Sequence, residues 1–596
     1  MPAAEIGWLE LTEGPRLGII KCEKTELDVH PKIRSRGGVC EGFAIELTDA
    51  GAKSQVSREV SELMGPDWKL RSIGDRDTDF ELRQTAGKIT TRQAWSKTYK
   101  LRSIPGVAYA EPLFATVSDN PAWTKDQSEP EIKEPHLPES LNPEWSLDAI
   151  HVKETWQQFF PDPALLPGHG VIVGHPDTGY QDHPELEGRI VSGKGYDFVY
   201  DDPDAHDDLE RPLSTPVPNP GHGTGTASVI VSPPGGAQHF QGNGWVTGVA
   251  PGAEIIPLRT AYSVVVFSAI NLSRAIEYAA SNGAHVISIS MGGLFSWRLR
   301  RAVRFAQSEG VIIIAAAGNY APFVTWPGVY DEVIACAASN VRGGTWKHSC
   351  NGRAVDVTAP GESVWRATVR KKGKGLSYDV SRTSGTSFAT TNTAGVAAMW
   401  LSHHGRDSLI ARYGRENVPL VFARVLRESC AKFPGWKEGK FGAGLIDALR
   451  TLDAPLPDPA EYRGGSRRIS EHPEVDDGGV ETFAHLFGVN RNDAPADDEL
   501  SESDLLSGLS GLLRISVDDL PETLRVTGQE LAFHLATDPT AYWSFMGVLR
   551  RDPAADVDAL REKLLSRASS PLRSQMTTAH ATDDVTSQAP SESLSV

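Results

Sequence analysis

A mostly parallel α/β sheet flanked by helices is predicted for the middle of this chain, on three observations. The apolar runs VIVGHPD, HVISI and VIIIAAA have the length of strands buried on both faces. Amphipathic stretches such as FSAINLSRAIEYAASNG and SWRLRRAVRFAQSEG lie between them, with apolar residues at helical spacing. Strand and helix alternate, and parallel strands are what crossover helices connect.

Composition narrows the function classes. Hydrophobic residues make up 40% and charged residues 23% of the 596, ordinary values for a globular protein long enough for several domains. A net charge of -18 argues against nucleic acid or an anionic membrane as partner. No apolar run approaches membrane-spanning length. The start, MPAAEIGWLELTEGPRLGII, lacks a basic segment followed by a continuous apolar one, so no secretory signal is read and a cytoplasmic location is expected. Five cysteines without a CxxC spacing suggest neither a disulfide framework nor zinc, and Cys336, in an apolar run, reads as a buried thiol.

Taken in order, residues 1–41 are an uninformative extension. Residues 42–117 read as strand (GFAIELTD), helix (AKSQVSREVSELMG), two strands (DWKLRSIG and DTDFELRQT), helix (TTRQAWSKTYKLRSIPG) and strand (GVAYAEPLFATV). That β-α-β-β-α-β order is a ferredoxin-like arrangement. Residues 118–142 are rich in Pro and Glu and read as a linker. The α/β core is expected over 143–453, followed by a linker (454–502), a small helical appendage (503–570) that suits a protein partner, and a disordered tail (571–596).

Three stretches of the core carry the chemistry. In SRTSGTSFATTNTAGVAAMW, Ser387 stands at the start of an apolar, hence buried, helix, where unpaired backbone N–H groups can stabilise an oxyanion. An ordinary Ser/Thr cap is the competing reading of that stretch alone. VIVGHPDTG ends a strand at Asp177, the edge where catalytic groups of parallel sheets sit. GHGTGTASVI starts a helix at His222. Together they supply Asp, His and Ser in the order of one known serine-protease triad.

On these motifs the sequence resembles the subtilase family of serine endopeptidases, over roughly residues 145–452. The resemblance implies a subtilisin-like core that hydrolyses peptide bonds through an acyl-enzyme, with Ser387 as nucleophile, His222 as general acid and base, Asp177 as its orienting partner and Asn319 as oxyanion donor. It implies a propeptide-like role for 42–117, as an inhibitor of the cleft. It implies a substrate strand held between Ser263–Phe267, with Val264 and Val266, and the segment Ser290, Met291, Gly292. The pocket beside the scissile bond would be lined by Ala316, Ala317 and Gly318, with Thr325 near its base. None of these is charged, so cleavage after apolar or aromatic residues is expected. No cofactor is required. The loop with Asp201, Asp202, Asp204, Asp207 and Asp208 has two readings: a structural calcium site, as some subtilases have there, or a solvated charged loop. Several positions depart from the family pattern: Pro176, Gly225, Ser228, and the run Thr390, Thr391, Asn392. A catalytically silent scaffold and a protease directed by a partner at its C-terminal helices are the alternative functions.

Overall fold

The computed structural model describes residues 39–577 apart from 74–76, 85–88, 117–141, 213–214, 216, 238–243, 267, 434, 438, 463–477 and 490–499. The expected linker at 118–142 apart from Asn142, most of the N-terminal extension and most of the tail therefore lie outside the described residues.

The first domain contains β1 (Val39–Leu47), the helix Lys53–Met64, β2 (Trp68–Ser72), β3 (Asp79–Gln84), the two-residue β4 (Ile89–Thr90), the helix Thr91–Arg102 and β5 (Val107–Thr116). All its strand pairs are antiparallel, in the order β2-β3-β1-β5, with β4 paired to the first two residues of β1. This is the ferredoxin-like sheet. Its helices close over Phe43, Phe80 and Leu82 of the sheet, and Trp95 of the second helix is buried with them. Thr90 and Gln93 form a reciprocal cap on the second helix, satisfying two donors that its first turn would leave unpaired.

The core sheet has seven parallel strands: β6 (Ile172–Asp177), β7 (Tyr196–Asp197), β8 (Glu254–Arg259), β10 (Val286–Ile289), β12 (Ile312–Ala316), β13 (Ile334–Ser339) and β14 (Val357–Pro360). Their order is β14-β13-β12-β10-β6-β8-β7. Every residue of β10, β12, β13 and β14 is buried, which explains their unbroken apolar runs. The short strands β9 (Val265–Val266) and β11 (Gly292–Gly293) stand apart from this sheet. Pro176 is tolerated in central β6 for a geometric reason. Val171 and Asp177 offer their carbonyls to β8, whereas Ile172 accepts from His285 on the β10 side. Even-numbered residues thus face β10, whose pairing ends at Gly174, and the missing N–H of Pro176 costs no ladder bond. The helix Thr386–His404 is buried from Thr386 to Leu401, as its lack of a polar face requires. Ahead of it runs a hairpin not foreseen from the sequence, β15 (Val364–Lys372) with β16 (Gly375–Thr383).

The C-terminal region differs from expectation in extent and in packing. Its helices are Val480–Phe487, Glu502–Leu513, Leu520–Thr537, Pro539–Leu549, Val557–Arg567 and Ser570–Thr577. The first lies in the expected linker and buries Phe483, Leu486 and Phe487; the last enters the expected tail and buries Leu572 and Met576. Nor are these helices a free appendage. Phe533 stacks on Phe114 at 4.5 Å and meets Trp95 edge-on at 5.7 Å, and the Tyr109 hydroxyl donates to Gln529 (3.1 Å). On the other side His485 bonds the carbonyl of Val324 (2.9 Å), and Tyr542 lies against Phe323. The helical region thus touches both the first domain and the α/β core. No helix among the described residues is long and apolar enough to cross a membrane.

The first domain docks on two core helices, Ile270–Ser281 and Trp297–Ser308. Ala44, Ile73 and Leu113 cluster with Ile270, and Tyr109 stacks on Trp297 at 4.8 Å. Arg301 pairs with Glu46 (2.6 Å) and Asp79. Buried Glu111 caps the second helix: its carboxylate accepts from the Ser296 hydroxyl (2.6 Å) and the Trp297 N–H (3.0 Å), donors the helix start leaves free.

Candidate active site

The carboxyl edge of the sheet gathers the chemistry-bearing residues. Asp177 is the last residue of β6, Ser290 follows β10, and Asn319 lies three residues past β12. His222 begins its helix, and Ser387 is the second residue of its own. His222 Nδ1 donates to Asp177 Oδ1 at 2.7 Å, and Nε2 lies 3.2 Å from Ser387 Oγ. The three side chains are at most 4% exposed. Burial alone would raise the Asp177 carboxyl. The attraction and hydrogen bond of His222, with lesser help from the Thr178 N–H, hold it below its ordinary value. The carboxylate thus stays charged opposite an imidazole that can take up a proton.

Asn319 is oriented from behind. Its Oδ1 accepts from the backbone N–H (3.0 Å) and the hydroxyl (2.9 Å) of Thr386. A backbone N–H can only donate, so this contact settles which amide atom faces Thr386 and turns the Nδ2 donors away from it. Thr386 was not singled out from the sequence; its place next to the nucleophile was the signal.

The carboxylates of the acidic loop face cations and backbone donors. Asp201 pairs with Arg71 and Arg274, Asp208 with Arg259 (2.8 Å) and Asp204 with His206 (2.5 Å). Asp202 accepts from the backbone N–H of Asp204. Buried Asp207 accepts from Thr178 Oγ1, Leu209 N and Gly221 N, anchoring the residue just before His222. Among the described residues no three His, Cys, Asp or Glu side chains are placed to hold a metal ion. The aspartates are spent on cations and backbone donors, several of them brought by distant segments.

Rather than flanking an open slot, β9 and β11 pair with each other, Gly292 opposite Val265 and Gly293 opposite Val266. The Gly292 N–H donates to the Val264 carbonyl at 2.9 Å. A peptide strand held between these edges must first part them. Met291 turns its side chain inward, 2% exposed, with its sulfur 3.3 Å from the Thr260 hydroxyl. Ser290 lies beneath the nucleophile, its hydroxyl donating to the Ser387 carbonyl (3.1 Å). Ala316, Ala317 and Thr325 are buried together, with the Thr325 N–H on the Ala317 carbonyl. Thr325 is wedged between two glycines: a Cβ on Gly292 would come within 2.3 Å of its hydroxyl oxygen, and one on Gly318 within 2.8 Å of its methyl carbon.

Comparison with known proteins gives the same family as the motifs. A family model described as the Subtilase family matches residues 168–415. Thermitase of Thermoactinomyces vulgaris is 33% identical over 258 residues, covering 42% of this chain and 82% of thermitase. Fervidolysin of Fervidobacterium pennivorans is 27% identical over 412 residues, 62% of this chain and 53% of that protein. The thermostable alkaline protease of Halalkalibacterium halodurans is 31% identical, across 40% of this chain and 58% of its own length. The match thus spans most of thermitase and little more than half of the other two. The crystal structure of fervidolysin, described as a keratinolytic enzyme related to subtilisin, superposes with a TM-score of 0.51 at 22% identity, covering 71% of this chain and 62% of that one, a likeness of fold.

Proposed function

The chain belongs to the subtilase family of serine peptidases, and on that footing we propose that Ser387, His222 and Asp177 cut peptide bonds by way of an acyl-enzyme. The continuous contact from Asp177 through His222 to Ser387 carries the proposal. Ser387 Oγ attacks the scissile carbonyl carbon while His222 Nε2 takes the hydroxyl proton. The imidazolium so formed is stabilised by Asp177. The oxyanion receives hydrogen bonds from Asn319 Nδ2 and the Ser387 N–H. Collapse breaks the C–N bond, with His222 returning the proton to the leaving amine, and water releases the acyl group by the reverse sequence.

Specificity follows from what surrounds Thr325. The walls expected beside the scissile bond, Ala316, Ala317 and Gly318, carry no charge to balance a substrate lysine or arginine. Burying an unpaired cation costs several kcal/mol, whereas burying a Leu or Phe side chain gains roughly 1.5–3 kcal/mol. A peptide-library profile of the active enzyme is expected to show apolar or aromatic residues before the cut. Dominance of Lys or Arg there would contradict the reading.

The first domain acts as an inhibitor in this proposal. Two observations support it: the domain is docked through Glu111 and Arg301, and the cleft edges are closed on each other. Glu111→Ala removes a helix cap, which costs about 0.5–2 kcal/mol, or roughly 2- to 30-fold in the docking equilibrium. Full-length Glu111→Ala is expected to hydrolyse peptides faster than the parent by a factor in that range. An unchanged or slower rate with the fold preserved would count against inhibition by this domain.

A further inference from the structure

Asp177 is held from two sides, and only one of them belongs to the triad. Oδ1 accepts from His222 Nδ1 and from the Thr178 N–H, both at 2.7 Å. Oδ2 accepts from the Thr226 hydroxyl at 3.2 Å. That hydroxyl lies 3.1 Å from His175 Nε2. Asp177 and Thr226 are fully buried and His175 is 2% exposed. The spacing explains the meeting: His175 and Asp177 are two apart on a strand and share a face, as do His222 and Thr226, four apart on a helix. Two polar pairs are thus set against each other between strand and helix.

The hydroxyl has one proton and several acceptors for it. Besides Asp177 Oδ2, the carbonyls of His222 (3.1 Å) and Gly223 (3.3 Å) are in reach. Left alone, Thr226 would divide its donation between the carboxylate and its own helix. A histidine N–H directed at the oxygen occupies a lone pair and leaves the proton for the strongest acceptor, the charged carboxylate. Burial holds His175 below its ordinary pKa, against the pull of Asp177 and of its own backbone carbonyl, so the ring is neutral and carries a single N–H, for which Thr226 Oγ1 and that carbonyl compete. We propose that Thr226 is a positioning residue for Asp177, and that His175, protonated on Nε2, sets the direction of the Thr226 hydroxyl. The chain of hydrogen bonds runs His175 Nε2–H to Thr226 Oγ1–H to Asp177 Oδ2, and locks the carboxylate plane so that Oδ1 faces His222. The inference rests on the triad reading above.

The test compares four full-length variants: Thr226→Val, Thr226→Ser, His175→Leu and His175→Gln. Thr226→Val keeps the shape and removes the donor. It is expected to lower kcat about tenfold with KM little changed. It should also move the acid limb of kcat/KM to higher pH, because a carboxylate short of one donor holds the imidazolium more tightly. His175→Leu should do the same more weakly. Thr226→Ser and His175→Gln, which keep a hydroxyl and an N–H donor in place, should return most of the rate and the parental pH profile. If Val and Ser at 226 give the same kcat and pH profile, and differ only in thermal stability, the hydroxyl is merely structural and the proposal is overturned. Should Thr226→Val not fold, a His175→Leu enzyme matching His175→Gln in kcat and pH profile overturns it equally. Failure of the triad reading is separable, since the parent would then not react with a fluorophosphonate at Ser387.

Discussion

Ser387→Ala abolishes peptide hydrolysis while leaving the protein folded. The expected loss in kcat is on the order of 10⁶-fold, a magnitude known from subtilisin itself, a member of this family, and carried over here. Without Oγ no acyl-enzyme forms, and His222 has no proton to take. The fold survives because Oγ engages little else: it donates to His222 Nε2 at 3.2 Å, with the Ser290 carbonyl 3.3 Å away. His222→Ala should cost as much, and the double variant hardly more, because the residues act as a unit. Asp177→Ala should cost less, since the oxyanion donors and the Ser–His pair remain. Measured kcat of the purified variants, with thermal unfolding as a control, checks all three. Near-parental turnover by Ser387→Ala would remove the nucleophile from this account.

Asn319→Ala is expected to lower kcat by about 10²–10³-fold with KM little altered, again a magnitude set by subtilisin's own oxyanion asparagine rather than derived from this structure. The side chain reaches the reacting oxygen only as charge develops there, so its loss is felt in the transition state and not in binding. Its Oδ1 also accepts two bonds from Thr386. Asn319 is only half-buried, so water can replace those bonds and stability should fall little. A change confined to KM, or a large loss of stability with kcat per folded molecule unchanged, would place Asn319 outside the oxyanion site.

How much of this was legible in the sequence follows from the distance over which each feature is decided. The parallel sheet was legible because each strand announces itself in a short apolar run, and the triad because three local motifs each put one residue at a strand end or helix start. The ferredoxin-like order of the first domain was legible for the same local reason. Features decided by distant segments were not. The five aspartates of the acidic loop have spacing compatible with calcium, but Arg71, Arg259 and Arg274 arrive from other elements to pair with them. The closure of β9 on β11 depends on how closely two loops approach, which no pattern within either one specifies. The β15–β16 hairpin did leave a local mark, the KKGKG turn between two mixed stretches. His175 was hidden as one polar residue in a run that reads as apolar, and Thr226 as one of several small polar residues after the motif histidine; their meaning emerges only when strand and helix face each other. The helix Val480–Phe487 was obscured by the acidic, proline-bearing segment before it, although its Val, Phe, Leu and Phe have helical spacing.

The central claim is that Ser387 is a nucleophile activated by His222. Its most direct test is incubation of the purified full-length protein with a fluorophosphonate probe, followed by mass mapping of the labelled peptide. Because the cleft edges are paired and the first domain is docked, labelling is to be followed over time, in the parent and in Glu111→Ala. One adduct is expected, on Ser387, forming faster in Glu111→Ala and absent in both Ser387→Ala and His222→Ala. An adduct on another serine, or equal labelling of the His222→Ala protein, would contradict it.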